Sequence, residues 1–158
     1  MPEYTAYINI GSNMGDRYGN ISRAVALIME RVGSDPKVSE PVESEPWGYE
    51  SDQTFINVGL TLQSSLEPHA LLKILQSVEH EISPAPHRDA SGAYIDRMID
   101  IDLIACGQAV IDTPALTLPH PAMHLRRFVL IPMIELMPHW QHPQLGLTPS
   151  QMLARIQD

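Results

Sequence analysis

Asp100-Ile101-Asp102 is the segment whose residue types and spacing are best suited to chemistry, set in the apolar run Ile99 to Ala105 and preceded by Arg97. On an extended strand successive side chains alternate, so the two carboxylates share one face about 7 Å apart. That spacing suits one or two hard cations. Neighbouring ionised carboxylates repel, and either a metal ion or a nearby arginine must compensate them. The plain alternative is a strand whose solvent face carries two acids.

The elements that must position these acids are legible in the periodicity. Tyr4 to Ile10 alternates like a first strand, and Gly11-Ser12-Asn13-Met14-Gly15-Asp16 breaks it with turn-forming residues. Ile21, Ala24, Val25, Ile28 and Val32 then recur at helical spacing, with Gly33 as a terminator. Val38 to Glu43 predicts a strand that Pro41 confines to an edge or a bulge, and Phe55 to Leu62 a longer one. Ser65-Leu66-Glu67-Pro68 supplies helix-start chemistry for the stripe Leu71, Leu72, Leu75, Val78 and Ile82, which ends before Pro84. Pro84 to Asp96 has no sustained period and reads as a functional loop. After the acidic strand, Gly107-Gln108 predicts a tight turn into Ala109-Val110-Ile111, a hairpin with the acidic strand as its first arm. Phe128 to Met137 and Pro149 to Ile156 predict two further helices. This order describes an α+β fold of the ferredoxin-like kind, a mainly antiparallel sheet with helices packed against it.

At 158 residues, 44% apolar and 18% charged, the chain is expected to form a single globular domain, residues 1–158. Met1-Pro2-Glu3-Tyr4 lacks a basic region followed by an apolar stretch, and no membrane span is visible, so the expected location is cytoplasmic. The single cysteine, Cys106, excludes an internal disulfide and is expected to pack as a small apolar side chain. A net charge of −9 disfavours broad nucleic-acid binding but not a small anion held by a local field. His120, His124, His139 and His142 raise the idea of a zinc site, but no cysteine or carboxylate completes a familiar ligand spacing. Gly11-Ser12-Asn13 is neither a Walker nor a Rossmann phosphate loop.

Taken in order, Gly11-Ser12-Asn13, Glu45-Pro46-Trp47-Gly48, Asp52-Gln53-Thr54-Phe55-Ile56-Asn57, Arg97-Met98-Ile99-Asp100-Ile101-Asp102 and Leu118-Pro119-His120 form a series of unrelated short motifs. From about Tyr7 to Pro138, the chain resembles the 6-hydroxymethyl-7,8-dihydropterin pyrophosphokinase family of folate biosynthesis. The resemblance implies transfer of a pyrophosphoryl group from ATP to the hydroxymethyl group of a reduced pterin, releasing AMP. It implies that Asp100 and Asp102 hold magnesium, two ions being expected, and that Arg97 and Arg126 stabilise charge on the phosphates. Arg88, Ile101 and His120 join them at the ATP. Phe55 and Phe128 fall at the family's stacking positions, Asn57 at the residue that reads the pterin edge, and Ser44, Glu45 and Trp47 in its substrate loop.

The loop after the second helix departs from the family pattern. Where a Gly-Arg-x-Arg-type segment is usual, Ile82-Ser83-Pro84-Ala85-Pro86-His87-Arg88 leaves Arg88 as the nearest basic residue. Tyr94 stands near the family's aromatic lid position, and Pro84 to Asp96 is expected to order when both substrates bind. Two other classes stay open: a noncatalytic pterin- or nucleotide-binding homologue with a reduced ATP clamp, and a ferredoxin-like interaction domain with no small-molecule site.

Overall fold

The computed structural model describes residues 2–32, 34–45, 53–83 and 98–156. Gly33, Trp47, Arg88, Tyr94, Arg97 and the expected lid from Pro84 to Asp96 lie outside them. The first strand, β1 (Tyr4–Ser12), turns Ala6, Ile8 and Ile10 to one face and Tyr7, Asn9 and Gly11 to the other. Helix α1 (Arg17–Val32) follows, then two short strands, β2 (Lys37–Val38) and β3 (Val42–Ser44), and the long β4 (Phe55–Ser64). Helix α2 (Pro68–Ile82) leads to β5 (Asp100–Cys106). The sheet order is β2-β4-β1-β5 with β3 also on β4, and every pairing is antiparallel. This is the expected ferredoxin-like arrangement, with β1 in the middle and the acidic strand at an edge.

One face of the sheet is covered by α1 and α2. Ile21, Ala24 and Ile28 from α1 and Leu71, Leu75, Val78 and Ile82 from α2 pack on Ile8, Ile10, Val58, Leu60, Ile101 and Leu103. Burial of these side chains is the main driving force for the fold. Cys106 belongs to this core, and burial pushes its thiol pKa up to about 11, so it stays protonated. The chemistry of the α2 start is supplied by Glu67, whose carboxylate accepts from the His69 backbone N–H at 3.0 Å, with Pro68 in the first turn.

Among the described residues, the opposite face is covered only in part. Helix α3 (Arg127–Leu136) and the short α4 (Pro149–Ala154) bring Val129, Leu130, Met133 and Met152 onto Tyr7, Ile104 and Ala105. The Tyr7 hydroxyl, fully buried, donates to the Val129 carbonyl at 2.7 Å. The β1–β5 register shifts between Tyr7 and Ile8, which places Ala105 opposite Tyr7 and Leu103 opposite Ile8 and leaves Ile104 over as a bulge.

Two sequence expectations are corrected. The single strand Val38 to Glu43 is two, separated at Pro41, which has no N–H to give the ladder. The segment after Gly107 turns as expected, with Gly107 at φ +55°, but does not return along the acidic strand. Instead β6 (Ile111–Asp112) pairs with β7 (Thr117–Leu118) in a separate two-stranded sheet. The predicted hairpin failed because a turn signal fixes where the chain bends, not which strand it meets.

Candidate active site

Strand register puts the candidate residues in two rows across the sheet, on the face opposite α1 and α2. Asp100 is opposite Gly11, which is opposite Asn57, which pairs with Val42; Asp102 is opposite Asn9, which is opposite Gly59. At the usual strand spacing, Asp100 and Asn57 stand about 10 Å apart with Gly11 between them. Both aspartates are half-buried, whereas Ile101 between them points into the core. Ile101 can therefore meet a ligand only through its backbone. Its N–H donates to Glu79 Oε2 at 2.7 Å, which ties the edge strand to α2.

The β4 side of the rows forms a cradle. Asn57 is buried and donates through Nδ2 to Ser44 Oγ at 2.8 Å and to the Val42 carbonyl at 3.2 Å. A Cβ on Gly11 would stand 2.7 Å from Asn57 Oδ1 and 3.2 Å from Phe55 Cδ1, so glycine keeps this cradle clear. Thr54, beside Phe55, accepts from Arg17 and donates to Glu43 at 2.9 Å, fixing the start of β4 against α1 and β3. Glu45 follows β3 and is exposed.

The remaining described candidates come from beyond β7. A short 3-10 turn, Met123–Leu125, precedes α3, with Arg126 as its N-cap residue and Phe128 in its first turn. The Arg126 guanidinium carbon lies 5.7 Å from the centre of the Phe128 ring, a cation–aromatic contact. The His120 backbone N–H donates to the Ile104 carbonyl at 2.8 Å, which docks it beside β5. Its Nδ1 accepts from the Ala122 N–H at 3.2 Å, so the neutral ring carries its proton on Nε2. Burial first, and Arg126 second, push the His120 pKa down to about 4, against an opposing pull from Asp100. Asp100, His120, Arg126, Phe128, Asn57 and Phe55 thus gather around one face of the sheet.

Comparison with known proteins gives this face a family. Residues 7–138 match the family model described as 7,8-dihydro-6-hydroxymethylpterin-pyrophosphokinase (HPPK). The chain belongs to the HPPK family. It is 39% identical over 139 residues to the 2-amino-4-hydroxy-6-hydroxymethyldihydropteridine pyrophosphokinase of Porphyromonas gingivalis, covering 87% of this chain and 93% of that protein. It is 36% identical over 132 residues to the same-named protein of Bacillus subtilis, covering 83% of this chain and 77% of that one. A solved HPPK-DHPS structure in complex with substrates shares the fold at a TM-score of 0.70 and 14% identity, across 97% of this chain; the chain spans 43% of that one.

Three features of this HPPK-family chain escape a sequence reading. Glu79 and Asn9 act across 22 and 119 residues of sequence, on Ile101 N–H and on the Phe128 carbonyl, and nothing local marks them. Gly11 was legible as a turn, but it lies within β1 and its role is clearance. His142, one of the four histidines weighed for zinc, accepts at Nδ1 from the N–H groups of Gln144 and Leu145 and is buried against Trp140. Among the described residues, no group of three or more His, Cys, Asp or Glu converges to hold a metal.

The depressed His120 pKa has a stability consequence. The folded protein resists protonating this ring, while the unfolded chain takes the proton near pH 6.5, so stability is lost as pH falls from about 6.5 towards 4. His120→Gln is expected to flatten that part of the profile, read as urea midpoints at pH 7, 6, 5 and 4.5. An unchanged slope would show that His120 is not the group responsible.

Proposed function

We propose that this chain transfers a pyrophosphoryl group from ATP to 6-hydroxymethyl-7,8-dihydropterin, releasing AMP, in cytoplasmic folate biosynthesis. The observation that carries this reading is the placing of two acids on β5 and a buried, hydrogen-bonded asparagine on β4 on the same sheet face, across Gly11. The Asn57 side supports a flat heterocycle. With Nδ2 committed to Ser44 and Val42, Oδ1 is the acceptor offered to the donor edge of a pterin, and Phe55 and Phe128 offer stacking faces. Ser44 fixes the amide, and Glu45 and Trp47 belong to the same substrate loop.

The Asp100 side supports the triphosphate. Two half-buried carboxylates, with oxygen the only donor type, fit Mg2+ and leave most of its coordination sphere for phosphate oxygens and water. Asp100 and Asp102 would hold two such ions, which when bound neutralise phosphate charge and act as Lewis acids. Arg126 stands beside Phe128 and can place a guanidinium on the transferred group, with Arg97 as its second cation. His120, neutral at pH 7, donates through Nε2–H to the nucleotide, and Ile101 offers its backbone. By the family resemblance alone, Arg88 is the further candidate for the ATP and Tyr94 for the pterin.

In the reaction the pterin hydroxymethyl oxygen bonds to the β-phosphorus as the bond from that phosphorus to the α–β bridging oxygen breaks. AMP leaves with the bond's electron pair, and the hydroxyl proton is lost to solvent. The chain's own contribution is alignment and charge, and no covalent enzyme intermediate is needed.

The test supplies ATP, Mg2+ and 6-hydroxymethyl-7,8-dihydropterin and follows AMP. The expected result is AMP and pterin diphosphate in equal amounts, and none when Mg2+ is chelated. Binding of both substrates without AMP would identify a noncatalytic homologue, and binding of neither would overturn the reading.

A further inference from the structure

Helix α3 carries a proline in its interior, Pro132. Proline has no N–H, so the carbonyl four residues earlier, that of Phe128, loses the donor that the helix would ordinarily give it. Asn9 on β1 takes that place, donating from Nδ2 to the Phe128 carbonyl at 3.0 Å. The next carbonyl, that of Val129, receives the Tyr7 hydroxyl. Gly59 lets this part of α3 come down on the sheet, since a Cβ there would meet Pro132 Cβ at 2.8 Å. Asn9 is 3% exposed and stands opposite Asp102, so its amide is confined between the acidic strand and the first turn of α3.

We propose that Asn9 is a positioning residue for pterin binding: by supplying the donor that Pro132 lacks, it sets the backbone of Phe128 and hence the plane of its ring. The proposal rests on the pyrophosphokinase reading, in which Phe128 stacks on the pterin. Asn9 does not itself touch substrate. Without its amide, the Phe128 carbonyl must turn outward to find another donor, and the ring turns with it.

The proline makes the proposal separable from a general packing role. Asn9→Ala removes the donor, and Pro132→Ala restores one in the helix backbone while keeping the Cβ that faces Gly59. In the AMP assay, Asn9→Ala is expected to raise the pterin KM about tenfold, the value of one lost aromatic contact, with the ATP KM within about twofold of wild type. Adding Pro132→Ala is expected to return the pterin KM to within about threefold of wild type. An unchanged pterin KM in Asn9→Ala, or no recovery in the double variant, overturns the proposal. If Asn9→Ala alone does not fold, the double variant decides: a wild-type pterin KM supports the donor role, and one raised tenfold overturns it. A wild-type chain that makes no AMP overturns the pyrophosphokinase reading itself. The carbonyl carbon-13 shift of Phe128 separates that failure from this one, because it moves in Asn9→Ala and returns in the double variant whether or not there is turnover.

Discussion

Asp100→Asn and Asp102→Asn are each expected to lower the rate of AMP formation by at least about a thousandfold, which corresponds to about 4 kcal/mol of lost transition-state stabilisation. The amide keeps the shape of the carboxylate but not the charge that a dication requires. Neither variant should lose the fold. Both residues are half-buried at an edge strand that is held to β1 through backbone pairs, and Ile99, Ile101 and Leu103 supply the apolar anchoring. The substitution is isosteric and lies outside the apolar core, so the urea midpoint is expected to stay within about 1 kcal/mol of wild type. Steady-state rates against Mg2+ concentration, with urea melts of the same samples, make the comparison. A variant that keeps more than a tenth of wild-type turnover sinks the metal assignment.

Gly59→Ala is expected to cost about 2–3 kcal/mol of stability and to lower Tm by about 5–10 °C. A Cβ at this position would stand 2.8 Å from Pro132 Cβ, from Tyr7 Cε1 and from the Tyr7 hydroxyl oxygen. None of these atoms is the loose end of a flexible side chain: one belongs to a proline ring, and the others to a fully buried tyrosine already tied to Val129. Helix α3 must therefore lift from the sheet. Because α3 carries Phe128 and begins beside Arg126, pterin affinity should fall together with stability. Calorimetry of Gly59→Ala beside Gly146→Ala provides the contrast, since a Cβ at Gly146 meets nothing within 4 Å and adds only backbone strain at φ +70°. Equal melting temperatures for the two would show that clearance at Gly59 is not what holds α3 down.

Much of this site was legible because strand parity is a local property. Asp100 and Asp102 two residues apart, and Phe55 and Asn57 two residues apart, had to share faces once their segments were strands. The order of strands and helices likewise limited the sheet to a few topologies. What stayed illegible depends on partners far along the chain. Glu79 on the Ile101 N–H, Asn9 on the Phe128 carbonyl and the pairing of β6 with β7 are settled by packing, which no short window of residues contains. Pro132 was visible as a residue, but the donor that would answer it was not.

The bulge at Ile104 bears on how this strand can change length over generations. Removing a residue between Asp100 and Asp102 would swing one acid into the layer under α1 and α2, a change that the core would reject. Removing Ile104 instead would leave Leu103 and Cys106 on their present side and Ala105 opposite Tyr7, with the acids where they are. Insertions and deletions among related chains should therefore collect at this one position, a splice point that lets the lower half of β5 drift while the upper half keeps its phase.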